Sequence, residues 1–207
     1  MNGPLAVVIA YLLGAIPFGF LVVRLTTGKD VRASGSGNIG ATNVLRTTGK
    51  TPAIITLVLD IAKGFAAVWI AALLTHHELT ESGPDVALWI SLAALAVMAG
   101  HSYPVFLRFK GGKAVACFIG AFLYLTPEAL LAVLVLFLLV VAGTKHISAG
   151  SVVAAGTFPL AVWLILHPPA EVLIAAVIAG AFIVYRHKTN LERIHAGTEN
   201  VFRWNKR

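Results

Sequence analysis

The sequence predicts an all-α integral membrane protein with seven transmembrane helices, its N-terminus outside and its C-terminus in the cytoplasm. Three observations predict it. Of the 207 residues, 58% are hydrophobic and only 12% charged, with a mean hydropathy of +0.85. Soluble domains carry roughly 25% charged residues, so the composition alone places the chain in a membrane. Seven apolar stretches follow one another, at roughly 4–23, 52–75, 85–100, 114–125, 127–143, 149–166 and 170–186. The cations fall in alternate connections between these stretches, and short-loop Lys and Arg mark the cytoplasmic side.

The first stretch reads as a retained helix. No Lys or Arg precedes Arg24, so the basic start of a signal peptide is missing. Most stretches reach the length of about 20 residues that spans the hydrocarbon core. The fourth is short, about 18 Å at 1.5 Å per residue, so its span starts deep or its preceding loop dips in. Thr126-Pro127 separates the fourth from the fifth, because a residue before proline is pushed out of helical geometry. Charge tests this division independently. With an outside N-terminus, segments 24–50, 101–113, 144–148 and 186–207 lie inside and hold five, three, one and six of the 16 Lys and Arg. The remaining one is Lys63, within the second stretch, and the outside connections hold none. Merging the fourth and fifth stretches would throw the cation-rich tail to the other face.

The net charge of +7 is therefore read as orientation charge, with anionic substrates second and no nucleic acid. Cys117 is the only cysteine and lies in an apolar run, away from any metal-ligand spacing. No repeat or linker divides the chain, so residues 1–207 read as one membrane domain. Nothing in the sequence fixes an oligomeric state.

Three polar stretches share the predicted cytoplasmic face. In "SGSGNIGATNVLR" (34–46), Gly35, Gly37 and Gly40 permit positive φ and close approach to a ligand. Successive N–H groups in such turns cradle anions. Asn38, Thr42 and Asn43 add polar side chains, and Arg46 adds a fork suited to phosphate. A glycine-rich membrane turn with an orienting arginine accounts for the same residues. It is not a Walker loop, since no G-x-x-x-x-G-K-[ST] occurs. In "GHSYPVFLRFKGGKAVA" (100–116), Lys110, Gly111, Gly112 and Lys113 place two cations around two flexible residues at the mouth of a helix, where anions are favoured. Two boundary lysines would look alike. His101 and Pro104 are expected to shape the helix end. In "RHKTNLERIHAGTEN" (186–200), His187 and Asn190 are three apart and share a helix face. A histidine near a phosphate can donate a hydrogen bond or act as acid or base. Interfacial side chains on a basic tail drawn to anionic lipid are the plainer reading.

Two further features stand apart. Asp60 and Lys63 lie three apart within the second span, where charge is costly and marks either function or a bracing ion pair. The run His76-His77-Glu78 lies on the outer face, and adjacent residues do not share a helix face, so no metal site is expected there.

Taken together and in order, the three polar stretches resemble the three motifs of the bacterial acyl-phosphate-dependent glycerol-3-phosphate acyltransferases, the PlsY family. "GSGNIGATNVLR" looks like the first motif, the 100–116 stretch the second and the 186–200 stretch the third, and the resemblance covers essentially the whole chain. It implies seven inner-membrane spans with a cytoplasmic active site. It implies transfer of a fatty acyl group from acyl phosphate to the sn-1 hydroxyl of glycerol 3-phosphate, giving lysophosphatidic acid for phospholipid synthesis. The partners so implied are those two substrates and membrane lipid; no metal or organic cofactor is implied. Ser36 and Arg46 carry over from the first motif, Lys110 to Lys113 from the second, and His187, Asn190 and Glu199 from the third. Ala114 stands where the family pattern has glycine, and Cys117 where threonine is usual; both are expected just inside a helix.

Two anionic substrates must lie side by side, which Arg46, Lys113 and loop N–H groups can arrange. The same cations can stabilise the leaving phosphate. Two routes are open: direct attack with His187 or the acyl phosphate itself taking the proton, or acylation of Ser36 with His187 as base. No acidic residue near His187 in sequence completes a triad. Direct transfer is therefore expected, with Ser36 and Asn190 as positioners and Glu199 bracing the tail. A transporter for an organic phosphate is the rival class. It would need paired repeats and polar residues through the membrane interior, where only Asp60 and Lys63 qualify. A structural lipid-binding protein would leave the glycine loops unexplained.

Overall fold

The computed structural model describes residues 2–76 and 84–202. His77 and Glu78 of the histidine run lie outside the described residues. Among those described, the chain is all helix, with no strand. Each of the seven apolar stretches is helical. Contacts divide the chain into two compact units, Met1–Leu125 and Thr126–Arg207.

The first unit holds α1 (Gly3–Ala15), α2 (Phe18–Thr27), α3 (Ala41–Thr47), α4 (Lys50–His76), α5 (Pro84–Ser102) and α6 (Val115–Leu125). α4 is its centre and packs against each of the other five. The first apolar stretch is not one helix. It breaks at Ile16-Pro17: proline lacks an N–H and forces Ile16 to extended backbone, at φ −62° and ψ 114°. Helix contacts in this unit depend on missing side chains. A Cβ on Gly14 would run into the Val97 carbonyl, and one on Gly100 into that of Tyr11, so α1 and α5 touch backbone to backbone. Gly64 against the Cys117 carbonyl and Gly120 against that of Ile61 do the same for α4 and α6. Lipid offers no hydrophobic drive for helix association, so close van der Waals approach at small residues supplies it.

The second unit holds α7 (Pro127–Thr144), α8 (Ile147–Leu166), α9 (Ala170–Arg186) and α10 (Lys188–His195). Thr126-Pro127 does start a new helix, with Pro127 at its first position, where a missing N–H costs nothing. α8 packs on both α7 and α9. Pro159 lies inside α8 and deprives the Ala155 carbonyl of its helical donor. Gly180 of α9 packs against that same carbonyl.

Among the described residues, five spans are long and apolar enough to cross a membrane: Gly3–Thr27 with its break, Lys50–Thr75, Val86–Leu107, Pro127–Thr144 and Ile147–Leu166. α9 and α10, bent by 52°, make a sixth if taken as one span. α6 is a shorter apolar helix, matching the short fourth stretch. Large apolar side chains such as Leu131, Val135, Leu138 and Leu139 are exposed along one helix, as a lipid-facing surface requires.

The close approach of α4 and α6 makes a prediction. Gly120→Leu should destabilise the protein by about 1–3 kcal/mol or more through overpacking, read as unfolding in detergent. Gly156→Ala, whose Cβ would meet only Val184 Cγ2 at 4.0 Å, should leave stability unchanged or raise it by up to about 1 kcal/mol.

Candidate active site

The first polar stretch leaves α2 at Gly28 and ends in α3. Its organiser is Asn43, in the first turn of α3 and buried. Asn43 Nδ2 donates to the carbonyls of Asn38 at 2.8 Å, Ser34 at 3.1 Å and Val31 at 3.2 Å. Its Oδ1 accepts the Ser36 N–H at 2.9 Å. Gly35, at φ +62°, lies directly over that oxygen, and a Cβ there would collide with it. The Gly37 N–H donates to the Ser34 carbonyl at 3.2 Å, and Asn38 Oδ1 accepts from the Gly40 N–H at 2.9 Å. Asn43 thereby ties the loop together. Its amide is spent inside the loop, and so are the N–H groups of Ser36, Gly37 and Gly40. The loop is a hydrogen-bonded scaffold that presents side chains, rather than an open nest of amides. Ser36 and Arg46 are exposed on it, and Thr42 is half-buried. Arg32 is held by Asp30, Nη2 to Oδ2 at 2.6 Å; the Arg32 hydrogen bond holds the Asp30 carboxyl below its ordinary value. A cavity of about 140 Å³ beside this loop is lined by Val23, Thr27, Lys29, Asp30, Val31, Ser34, Thr47 and Thr48, and includes none of the predicted site residues.

The second stretch follows α5. Arg108 and Phe109 adopt φ +53° and +61° and turn the chain back on the helix it has just left. The Lys110 N–H donates to the Leu107 carbonyl at 3.2 Å, that of Gly111 to Ser102 at 3.2 Å and that of Gly112 to His101 at 3.0 Å. A Cβ on Gly111 would strike the His101 carbonyl, and one on Gly112 the His101 ring. The two glycines therefore let the loop dock closely onto α5. Lys110 is exposed and Lys113 half-buried. His101 is buried and forms the surface on which the glycine pair rests.

Ala114 does not lie inside the helix, as the sequence suggests. It precedes α6 at φ +62°, and its carbonyl accepts the Phe118 N–H at 2.8 Å. The left-handed conformation costs alanine about 1 kcal/mol, and its methyl is buried, which returns about 0.8 kcal/mol. The two roughly offset.

The third stretch begins where α9 ends. His187 stands at the 52° bend between α9 and α10, not within one helix, and the Asn190 N–H donates to its carbonyl at 2.8 Å. His187 is buried, and its Nδ1 lies 2.8 Å from the Ile183 carbonyl. A carbonyl only accepts, so Nδ1 carries a proton there. Asn190 Nδ2 donates to Glu199 Oε1 at 2.7 Å. Ser148 Oγ donates to the same oxygen at 2.8 Å, and Arg193 Nε to Oε2 at 2.7 Å. The tail then returns to the α7–α8 turn, with the Phe202 N–H on the Lys145 carbonyl at 2.7 Å. Burial pushes the Glu199 carboxyl up, but the hydrogen bonds from Asn190, Arg193 and Ser148 and the Arg193 charge outweigh it and hold the group below its ordinary value.

Sequence reasoning missed Ser148 and Arg193. Ser148 is a lone hydroxyl at the start of an apolar run, 51 positions from Glu199, and no local signal pairs them. It also missed that Asp60 reaches His101.

Comparison with known proteins agrees with this architecture. A family model described as glycerol-3-phosphate acyltransferase matches residues 4–197. The glycerol-3-phosphate acyltransferases of Desulforamulus reducens and Trichlorobacter lovleyi are 44% and 45% identical to the chain. They cover 92% and 94% of it and 90% and 94% of their own lengths. PlsY (YgiH), an integral membrane glycerol 3-phosphate acyltransferase, aligns in its glycerol 3-phosphate form with a TM-score of 0.88 at 34% identity, over 98% of this chain and 96% of that one. Its lysophosphatidic acid form aligns at 0.85 and 33%. The chain belongs to the glycerol-3-phosphate acyltransferase family.

The Glu199 network makes a prediction with a definite sign. A carboxyl lowered in the folded state stabilises fully above its ordinary value of 4.5, and that contribution is lost as pH falls through the lower folded value. Glu199→Gln should cost about 1–3 kcal/mol at pH 7. Its deficit against the wild type should narrow as pH falls below the ordinary carboxyl value of 4.5 and the wild-type carboxyl protonates. Unfolding in detergent from pH 3 to 8 reads both.

Proposed function

We propose that residues 1–207 form one membrane-embedded acyltransferase domain in the bacterial inner membrane. It has seven transmembrane helices, an outside N-terminus, and a cytoplasmic face that carries all three polar stretches. The cation distribution supports this topology. The enzyme transfers a fatty acyl group from acyl phosphate to the sn-1 hydroxyl of glycerol 3-phosphate and releases lysophosphatidic acid and inorganic phosphate. The observation that carries the proposal is the near-complete match to a family whose member PlsY has been crystallised in a glycerol 3-phosphate form and a lysophosphatidic acid form.

Arg46, Lys110 and Lys113 hold the two phosphates, aided by Gly37, Asn38 and Thr42 of the first loop. The sn-1 hydroxyl oxygen attacks the acyl carbon, and the bond from that carbon to the phosphate oxygen breaks. The electron pair leaves with phosphate, whose charge the same cations stabilise. The hydroxyl proton passes to Nε2 of His187 or to the departing phosphate. The Nδ1–H of His187, anchored on the Ile183 carbonyl, supports Nε2 as the acceptor. Asn190 orients the hydroxyl, and Glu199 holds Asn190 in place. Ser36 positions a phosphate rather than forming an acyl-enzyme. The acyl tail reaches the site from the bilayer.

The test is product formation by purified protein in detergent, from palmitoyl phosphate and radiolabelled glycerol 3-phosphate, with Arg46→Ala alongside. Wild-type protein should form lysophosphatidic acid, and the variant should lose about 100-fold in rate, the usual effect of removing one preorganised electrostatic contact. No product from folded wild-type protein would overturn the proposal, and a trapped acyl-enzyme would overturn direct transfer.

A further inference from the structure

Asp60, Lys63 and His101 are buried in the first unit and take no part in the reaction as derived above. Their arrangement links two places that matter to it. Lys63 Nζ lies 2.9 Å from Asp60 Oδ1 and donates to the Ile16 carbonyl at 2.7 Å. That carbonyl sits at the break between α1 and α2, and α2 carries the chain into the first polar loop. Phe18, the first residue of α2, places its ring 5.5 Å from the same ammonium. On the other side, His101 Nδ1 lies 3.6 Å from the same Asp60 oxygen. The His101 ring is what Gly112 rests against, and its carbonyl holds the Gly112 N–H. Lys113 is the next residue. One carboxylate oxygen therefore bears on the root of the first loop through Lys63 and on the second loop through His101.

Ligand atoms of Asp60, His101 and Cys117 lie within 4.8 Å of one another, which suggests a metal. The Lys63 ammonium already stands on that carboxylate oxygen and supplies the cation.

We propose that Asp60, Lys63 and His101 are positioning residues that fix, from within the membrane, where the first and second loops present their phosphate-binding cations. This rests on the reading that those loops bind the two phosphorylated substrates. Simple bracing of helices would need only that the pair be neutral overall. Positioning needs the ammonium to reach Ile16 and the carboxylate to face His101 at once.

Two variants separate these roles. Asp60→Asn/Lys63→Gln removes both charges together, so no charge is left unpaired, but glutamine is too short to replace the lysine contact. His101→Gln keeps the ion pair and removes the ring beneath Gly112. Melting in detergent, hydrogen–deuterium exchange of peptides covering 28–49 and 103–114, and kcat and KM for both substrates are read on each. The double variant should stay folded but melt below the wild type, because the Ile16 carbonyl loses its donor. Its exchange should be at least tenfold faster in both loops, with KM raised at least tenfold for both substrates and kcat within threefold. His101→Gln should speed exchange in 103–114 only and raise one KM only. A double variant that melts, exchanges and binds like the wild type overturns the proposal. If the double variant fails to fold, unchanged exchange in 103–114 of folded His101→Gln overturns it. Folded wild-type protein that makes no lysophosphatidic acid overturns the proposed function instead, and exchange alone then decides the role of the cluster.

Discussion

A polar group inside a bilayer has no water to turn to, so it must find its partner within the protein or cost several kcal/mol. The first unit is arranged around one such case. Pro17 breaks the first span and the Ile16 carbonyl accepts Lys63 Nζ at 2.7 Å. Lys63 is itself a buried charge and needs Asp60, three residues back on the same helix. Asp60 in turn faces His101 across to α5. The break, the ion pair and the end of α5 are thus one chain of obligations. Removing one partner of a buried pair typically costs about 3–5 kcal/mol, because the other charge is stranded. The pair is weak evidence for stability in itself and better evidence that this geometry is held for a purpose.

The same economy runs through the polar stretches. Each has residues that hold the stretch in place by hydrogen bonds or close packing. In the first loop, Asn43 and the glycines beside it hold, while Ser36 and Arg46 stay exposed. In the second, Gly111 and Gly112 dock on α5, with Lys110 exposed and Lys113 half-buried beside them. In the third, Glu199 gathers Ser148, Asn190 and Arg193, and the Ile183 carbonyl accepts from Nδ1 of His187. A flexible loop rich in glycine would pay an ordering cost each time it bound phosphate. Loops already hydrogen-bonded in place do not, which suits a site that stabilises charge by preorganisation.

Much of this was legible in the sequence, and the failures have physical reasons. Apolar length marked the seven apolar stretches that the structure shows as helical, because it reports the bilayer directly. The Thr126-Pro127 boundary was legible because proline acts locally. Ile16-Pro17 obeys the same local rule, yet the break was hidden inside an unbroken apolar run whose partner, Lys63, is 47 residues away. The short helices α3 and α10 escaped because their sequences are polar. The polar stretches were legible as residue types, whereas the hydrogen bonds inside them were not. Asn43 and Asn38 look alike in a string, and only burial tells which one the loop consumes. Ala114 looked like a helix residue until its φ of +62° placed it just ahead of one.

The central claim is that the three polar stretches share the cytoplasmic face. Single cysteines replacing Ala33, Lys110 and Lys188 in a Cys117→Ala background, treated with a charged, membrane-impermeant maleimide, test it most directly. All three positions are exposed. All three should react in inside-out vesicles and stay unlabelled in right-side-out ones. Labelling of any one of them from the opposite side would place its stretch across the membrane from the others and contradict a shared site.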